Sequence, residues 1–162
     1  MNYLGLDSNK IQSTVNELNQ LLCNYQIYYQ NLRNYHWNVN GENFFDLHEK
    51  FEGLYEDART KIDEIAERIL TLRETPISRS SEYLRRAEVE EAEVTSNEYE
   101  MIDTILKNHS IIIKNFRRVL KEADKSVDEG TADMIGGFLF NIEKESWMLD
   151  AWRAKAMKAT TV

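Results

Sequence analysis

Two histidines and a group of carboxylates in the first half of the chain offer the clearest chemistry. His36, His48, Glu52, Asp63 and Glu67 lie within a short stretch, and imidazole mixed with carboxylate suits iron, zinc or manganese. Singly, each has a plainer account: a histidine near a helix end caps or packs, and a helix carboxylate is solvated. Spacing changes the reading. His48 and Glu52 are four apart, as are Asp63 and Glu67, so each pair shares one helical face and can converge on an ion. The eleven residues from Glu52 to Asp63 turn a helix through about 1100°, some 20° from whole turns, yet separate the pairs by about 16 Å. Metal–ligand bonds of about 2 Å leave two arrangements: half-sites within one chain, or whole sites shared between chains. An antiparallel two-fold neighbour, with its axis near residues 57 and 58, sets His48 and Glu52 of one copy against Asp63 and Glu67 of the other. Two identical sites per dimer follow, and His36 joins the His48 half across a tight turn.

Rigid elements must hold these groups. Apolar residues recur at Ile11, Val15, Leu18, Leu22, Tyr25, Tyr29 and Leu32, the period of an amphipathic helix, which Asn38-Val39-Asn40-Gly41 should end near Trp37. A second run, Phe44, Leu47, Phe51, Leu54, Ala58, Ile62, Ile65, Ile69 and Leu72, keeps the period until Thr75-Pro76, where proline disfavours helix in the residue before it. The charged segment between Ile77 and Glu93 reads as a loop with one short helix. Thr95-Ser96-Asn97-Glu98 fits a capping box opening a third long helix. Its apolar side carries Ile102, Ile105, Ile112, Phe116, Val119 and Leu120, and it fades near Lys125. Asp128-Glu129-Gly130-Thr131 starts a fourth, its acids at the positive end of the dipole and its stripe formed by Ile135, Phe138, Leu139, Ile142, Leu149 and Trp152. Helices about 40 Å long with one long crossover predict an all-α four-helix bundle of ferritin-like topology, a short helix lying in that crossover.

The 162 residues amount to one domain, 1–162. Six glycines and one proline are too few for the turns of an all-β fold. The net charge of −8 repels phosphate backbones and anionic lipid and favours cations. Residues 18–32 are free of charge but carry Asn19, Gln20, Asn24, Gln26, Gln30 and Asn31, which excludes a membrane span. The N-terminus lacks the basic head and apolar run of a signal peptide. Cys23 has no second cysteine to pair with and reads as a small core residue. A cytoplasmic location is expected.

Three segments carry a family likeness: His36-Trp37-Asn38-Val39-Asn40-Gly41, Phe44-Phe45-Asp46-Leu47-His48-Glu49-Lys50-Phe51-Glu52 and Asp63-Glu64-Ile65-Ala66-Glu67-Arg68-Ile69. Together they resemble Dps, the mini-ferritins known as DNA-binding proteins from starved cells. Length, helix order, Thr131-Ala132-Asp133-Met134 and Trp147-Met148-Leu149 extend the likeness over nearly the whole chain. The resemblance implies a shell of twelve subunits that oxidises Fe(II), preferably with hydrogen peroxide, and stores the ferric product inside. It implies His36 and His48 of one subunit, and Asp63 and Glu67 of its two-fold partner, as iron ligands, with Glu52 at an acidic ligand or near-ligand position. It also implies acidic three-fold pores lined by Asp128, Glu129 and Asp133, whose plainer role is dipole compensation. The Glu-x-x-His motif of ordinary ferritins is absent, since Arg33, Phe45 and Leu106 stand three before the histidines. Peroxide held at a two-iron site takes two electrons together and releases no hydroxyl radical. Imidazole ligates only when unprotonated, so uptake should fall below about pH 6.

Trp37 adjoins a ligand and either packs or, by the resemblance, absorbs stray oxidising equivalents. His109 falls on an apolar helix face and reads as a packing residue. Gly136-Gly137 permits close approach, within the bundle or between subunits. The alternative function implied by the family name is condensation and protection of DNA. Composition argues against it: residues 1–35 hold only Lys10 and Arg33 against Asp7 and Glu17, and the C-terminus offers Arg153, Lys155 and Lys158 in a short tail. Twelve copies at −8 carry a formal −96, so DNA would need low salt or bridging cations.

Overall fold

A computed structural model describes residues 3–159. It contains α1 (Ser8–Asn38), α2 (Phe44–Thr71), α3 (Ser80–Arg86), α4 (Glu98–Ser126) and α5 (Glu129–Ala159), and no strand occurs among the described residues. Helix α1 packs against α2 and α4, and α4 against α5. Lys50–Glu145 and Arg68–Asp128 ion pairs join α2 to α5 and its cap. The result is the expected all-α four-helix bundle with α3 in the crossover. Leu18, Leu22 and Leu32 meet Phe51, Ile65 and Ile69 of α2, Ile105, Ile112 and Phe116 of α4, and Ile135 of α5 in one buried core.

Local chemistry sets the helix ends. Asp7 caps α1 by accepting from the Asn9 N–H at 2.9 Å, so the helix starts three residues before the first apolar position. Gly41, at φ +103°, makes the α1–α2 turn in a region that side chains avoid. Arg73 at φ 66° and the Glu74 N–H bond to the Ile69 carbonyl (3.1 Å) stop α2 before Pro76. Helix α4 departs from the expected capping box. Asn97, not Thr95, is its N-cap and accepts from the Tyr99 N–H at 3.0 Å. The Thr95 hydroxyl is instead taken up by the Glu100 carboxylate at 2.7 Å. At the other end, α5 continues through residue 159, so Arg153 lies in a helix rather than a tail, paired with Asp103 and Asp150. The side chains of Lys155 and Lys158 lie outside the described residues.

A polar seam runs between α1 and α4. Asn24 donates to Asn115 (3.0 Å), Asn31 to Asn108 (3.0 Å), and Tyr28 bonds His109 (2.7 Å). Asparagines of α1 also hold the crossover. Asn24 Oδ1 accepts from the Glu88 and Val89 amides, Asn31 Oδ1 from Ala92, and Asn19 Oδ1 from Ile77. Their amides satisfy an irregular backbone that would otherwise lose its hydrogen bonds on burial.

Candidate metal centre

The turn at Gly41 folds the last turn of α1 back onto the second turn of α2 and stacks two imidazoles. The His36 and His48 rings lie 3.7 Å apart at 24°. Each Nδ1 faces the other residue's backbone: His36 Nδ1 is 2.9 Å from the His48 carbonyl and His48 Nδ1 is 2.8 Å from the His36 carbonyl. A carbonyl only accepts, so both Nδ1 atoms carry the proton and a neutral ring keeps its lone pair on Nε2. Neither Nε2 has a hydrogen-bond partner among the described residues. This is the arrangement by which proteins orient metal-ligating histidines. Phe44 stacks on His48 at 4.9 Å and Tyr55 meets His36 edge-on at 5.2 Å. The Phe44 contact is legible as an i,i+4 pair; the Tyr55 contact, which crosses the turn, is not.

The carboxylates stand apart from this pair. Asp63 and Glu67 are exposed on α2, about 16 Å and about 22 Å beyond Glu52 by helical rise, and neither makes a side-chain hydrogen bond or ion pair among the described residues. Glu52 is exposed and receives a long 3.5 Å contact from the Tyr55 hydroxyl. Within one chain, no three His, Cys, Asp or Glu side chains of the described residues gather into a metal cage.

The acids at the start of α5 divide. Asp128 is buried, with its carboxylate 2.5 Å from Arg68, accepting from the Thr131 N–H at 3.0 Å and from the Thr131 hydroxyl at 2.6 Å. It is a helix cap and ion-pair partner, whereas Glu129 and Asp133 are exposed. Trp37 is 59% exposed, with Arg33 over its ring at 4.7 Å, so packing within the subunit does not account for it. Gly136 and Gly137 have no neighbour among the described residues close enough to meet an added Cβ, which removes close approach to them within the bundle as their reason. His109 and Cys23 are buried as expected.

Residues 15–158 match the Ferritin family, described as a ferritin-like domain. The bundle is therefore a ferritin-like one. A Porphyromonas gingivalis relative called DNA protection during starvation protein is 41% identical over 151 residues, 93% of this chain and 95% of its own length. The crystal structure of a Dps protein from Vibrio cholerae O1, described as a member of the ferritin-like diiron-carboxylate superfamily, superposes with a TM-score of 0.91. It is 41% identical, over 94% of this chain and 96% of that one. The chain belongs to the Dps family. Two structures of the Listeria innocua Dps, each with one histidine replaced by glycine, also align at 30% identity, with TM-scores of 0.84 and 0.83 over 88% and 86% of this chain and 96% and 92% of theirs. Their two replaced positions are twelve apart, the separation of His36 and His48.

Proposed function

We propose that the protein is an iron-detoxifying store: it oxidises Fe(II) with hydrogen peroxide at sites shared between two-fold-related subunits and holds ferric mineral inside a dodecamer. The observation that carries this reading is the reciprocal bonding of His36 and His48, which pre-orients two Nε2 lone pairs, with no third ligand beside them among the described residues of the same chain. Asp63 and Glu67 of the neighbour complete the ligand set, their charge offsetting Fe(II) and favouring Fe(III), and Glu52 serves a second iron position. Two ferrous ions each give one electron to one peroxide, whose O–O bond breaks without releasing a radical. Glu129 and Asp133 line the entry path for iron; Asp128, held by Arg68, shapes the path rather than facing it.

Subunit mixing tests the shared site. His36→Ala/His48→Ala and Asp63→Asn/Glu67→Gln variants should each assemble and lose fast Fe(II) oxidation. Random co-assembly of the two should restore about a quarter of the wild-type rate, because half the pairs are mixed and each mixed pair has one intact site of two. No recovery in a verified mixed assembly would place the site within one chain. DNA protection, for which the Porphyromonas relative is named, follows on this reading from removing iron and peroxide. A gel shift at physiological salt should show no DNA retardation.

A further inference from the structure

Among the buried polar groups that this chemistry leaves unused is the Tyr28–His109 pair in the α1–α4 seam. The Tyr28 hydroxyl lies 2.7 Å from His109 Nε2, and the two rings meet edge-on with centroids 5.4 Å apart. Ser146 fixes the direction of that bond. Its hydroxyl donates to the Ile142 carbonyl at 2.7 Å, so it accepts at 2.8 Å from His109 Nδ1–H, and Nε2 keeps the lone pair that receives the Tyr28 proton. Tyr28 and His109 are 3% and 1% exposed. In such a dry site, moving electron and proton together avoids a bare charge on the ring that water would otherwise have to solvate.

Aromatic contacts lead from the histidine stack to the residue beside this pair, and the last step to Tyr28 runs along the backbone. His36 meets Tyr55 at 5.2 Å, Tyr55 meets Tyr29 at 6.0 Å, and Tyr29 is the chain neighbour of Tyr28. From Tyr28 to His36 the helix rises about 12 Å, a span that electrons cross between aromatic rings. Resting on the reading that the site reduces peroxide with ferrous iron, we propose that Tyr28 is a reserve electron donor with His109 as its proton acceptor, used when a site holds one ferrous ion instead of two. The single iron gives one electron and becomes ferric, and Tyr28 gives the second. The O–O bond breaks to two hydroxides, the phenol proton moves to His109, and a neutral tyrosyl radical remains in the core in place of a free hydroxyl radical. Burial, reinforced by Lys61 and Lys50, pushes the His109 pKa down to about 3. A phenol stripped of an electron is a far stronger acid than that imidazolium, so the proton still transfers.

The test is electron paramagnetic resonance on the assembled wild type and Tyr28→Phe, freeze-quenched after one ferrous ion per two-iron site and excess peroxide. A second arm replaces iron and peroxide with photo-excited tris(bipyridine)ruthenium and persulfate. The expected result is a hydrogen-bonded neutral tyrosyl signal from the wild type in both arms and its loss in Tyr28→Phe. That variant should release more spin-trapped hydroxyl radical at low iron, with unchanged Fe(II) oxidation at full load. An undiminished signal in Tyr28→Phe overturns the proposal. So does a wild type that oxidises iron yet gives the radical only with ruthenium. A wild type that oxidises no iron at all sinks the functional reading and the role given to Tyr28, while the ruthenium arm separately reports whether the pair is redox-active.

Discussion

Single side chains here gain their roles from what their second polar atom touches. His36 and His48 are legible in the sequence by type and spacing, but the bonds that aim them end on backbone carbonyls, which no side-chain pattern reveals. His109 is the opposite case: its apolar helix face announces burial, while its partners Tyr28 and Ser146 come from helices far away in the chain. Its titration has a measurable consequence. The folded state holds its pKa near 3 against an ordinary value of 6.5, so between those values the unfolded chain binds a proton that the native one refuses. The part of native stability tied to His109 is full above pH 6.5 and falls as pH drops toward 3, by about 1.4 kcal/mol per unit at most. Urea unfolding as a function of pH should show that slope, and His109→Gln should flatten it.

At the level of helices and turns, two junctions stand out, one at the site and one at the start of α5. Gly41 at φ +103° brings the two histidines together, and Gly41→Ala should cost about 1–3 kcal/mol of backbone strain, read as a lower unfolding midpoint. On the proposed function, slower iron oxidation should accompany it as the imidazole stack loosens. The second junction is Arg68–Asp128, with side chains 18% and 1% exposed. Asp128→Ala removes a helix cap and strands the guanidinium in a partly buried site, so a loss of about 3 kcal/mol is expected in denaturant unfolding. The helix periods were readable because apolar spacing alone encodes them. The role of Asp128 was not, because its partner sits sixty residues earlier and both a pore and a cap favour acid at a helix start. The capping box fails for a similar reason: Thr95 and Asn97 are both good caps, and the Thr95 oxygen accepts from the Asn97 N–H ahead of the helix, which leaves Asn97 to cap it.

For the whole molecule, family membership makes the chain a homo-oligomer, and the subunit surface agrees with needing neighbours. Phe45, Phe140 and Trp147 are 83%, 70% and 67% exposed, large apolar faces that an isolated subunit would present to water. Phe140→Asp and Trp147→Asp should each shift sedimentation toward smaller species, because a charge buried at a contact loses its hydration. Unchanged assembly in both would mean that these rings face solvent in the oligomer. The sequence implied sharing between copies through the reach of a metal bond, but the contact faces need a folded surface to be seen. The crossover spanning the bundle adds a last consequence. Amides at Ile77, Glu88, Val89 and Ala92 belong to no helix, yet each is tied to an asparagine of α1. In deuterium labelling this strap should therefore exchange as slowly as the rods it crosses, and it should release its protons only when α1 itself comes away.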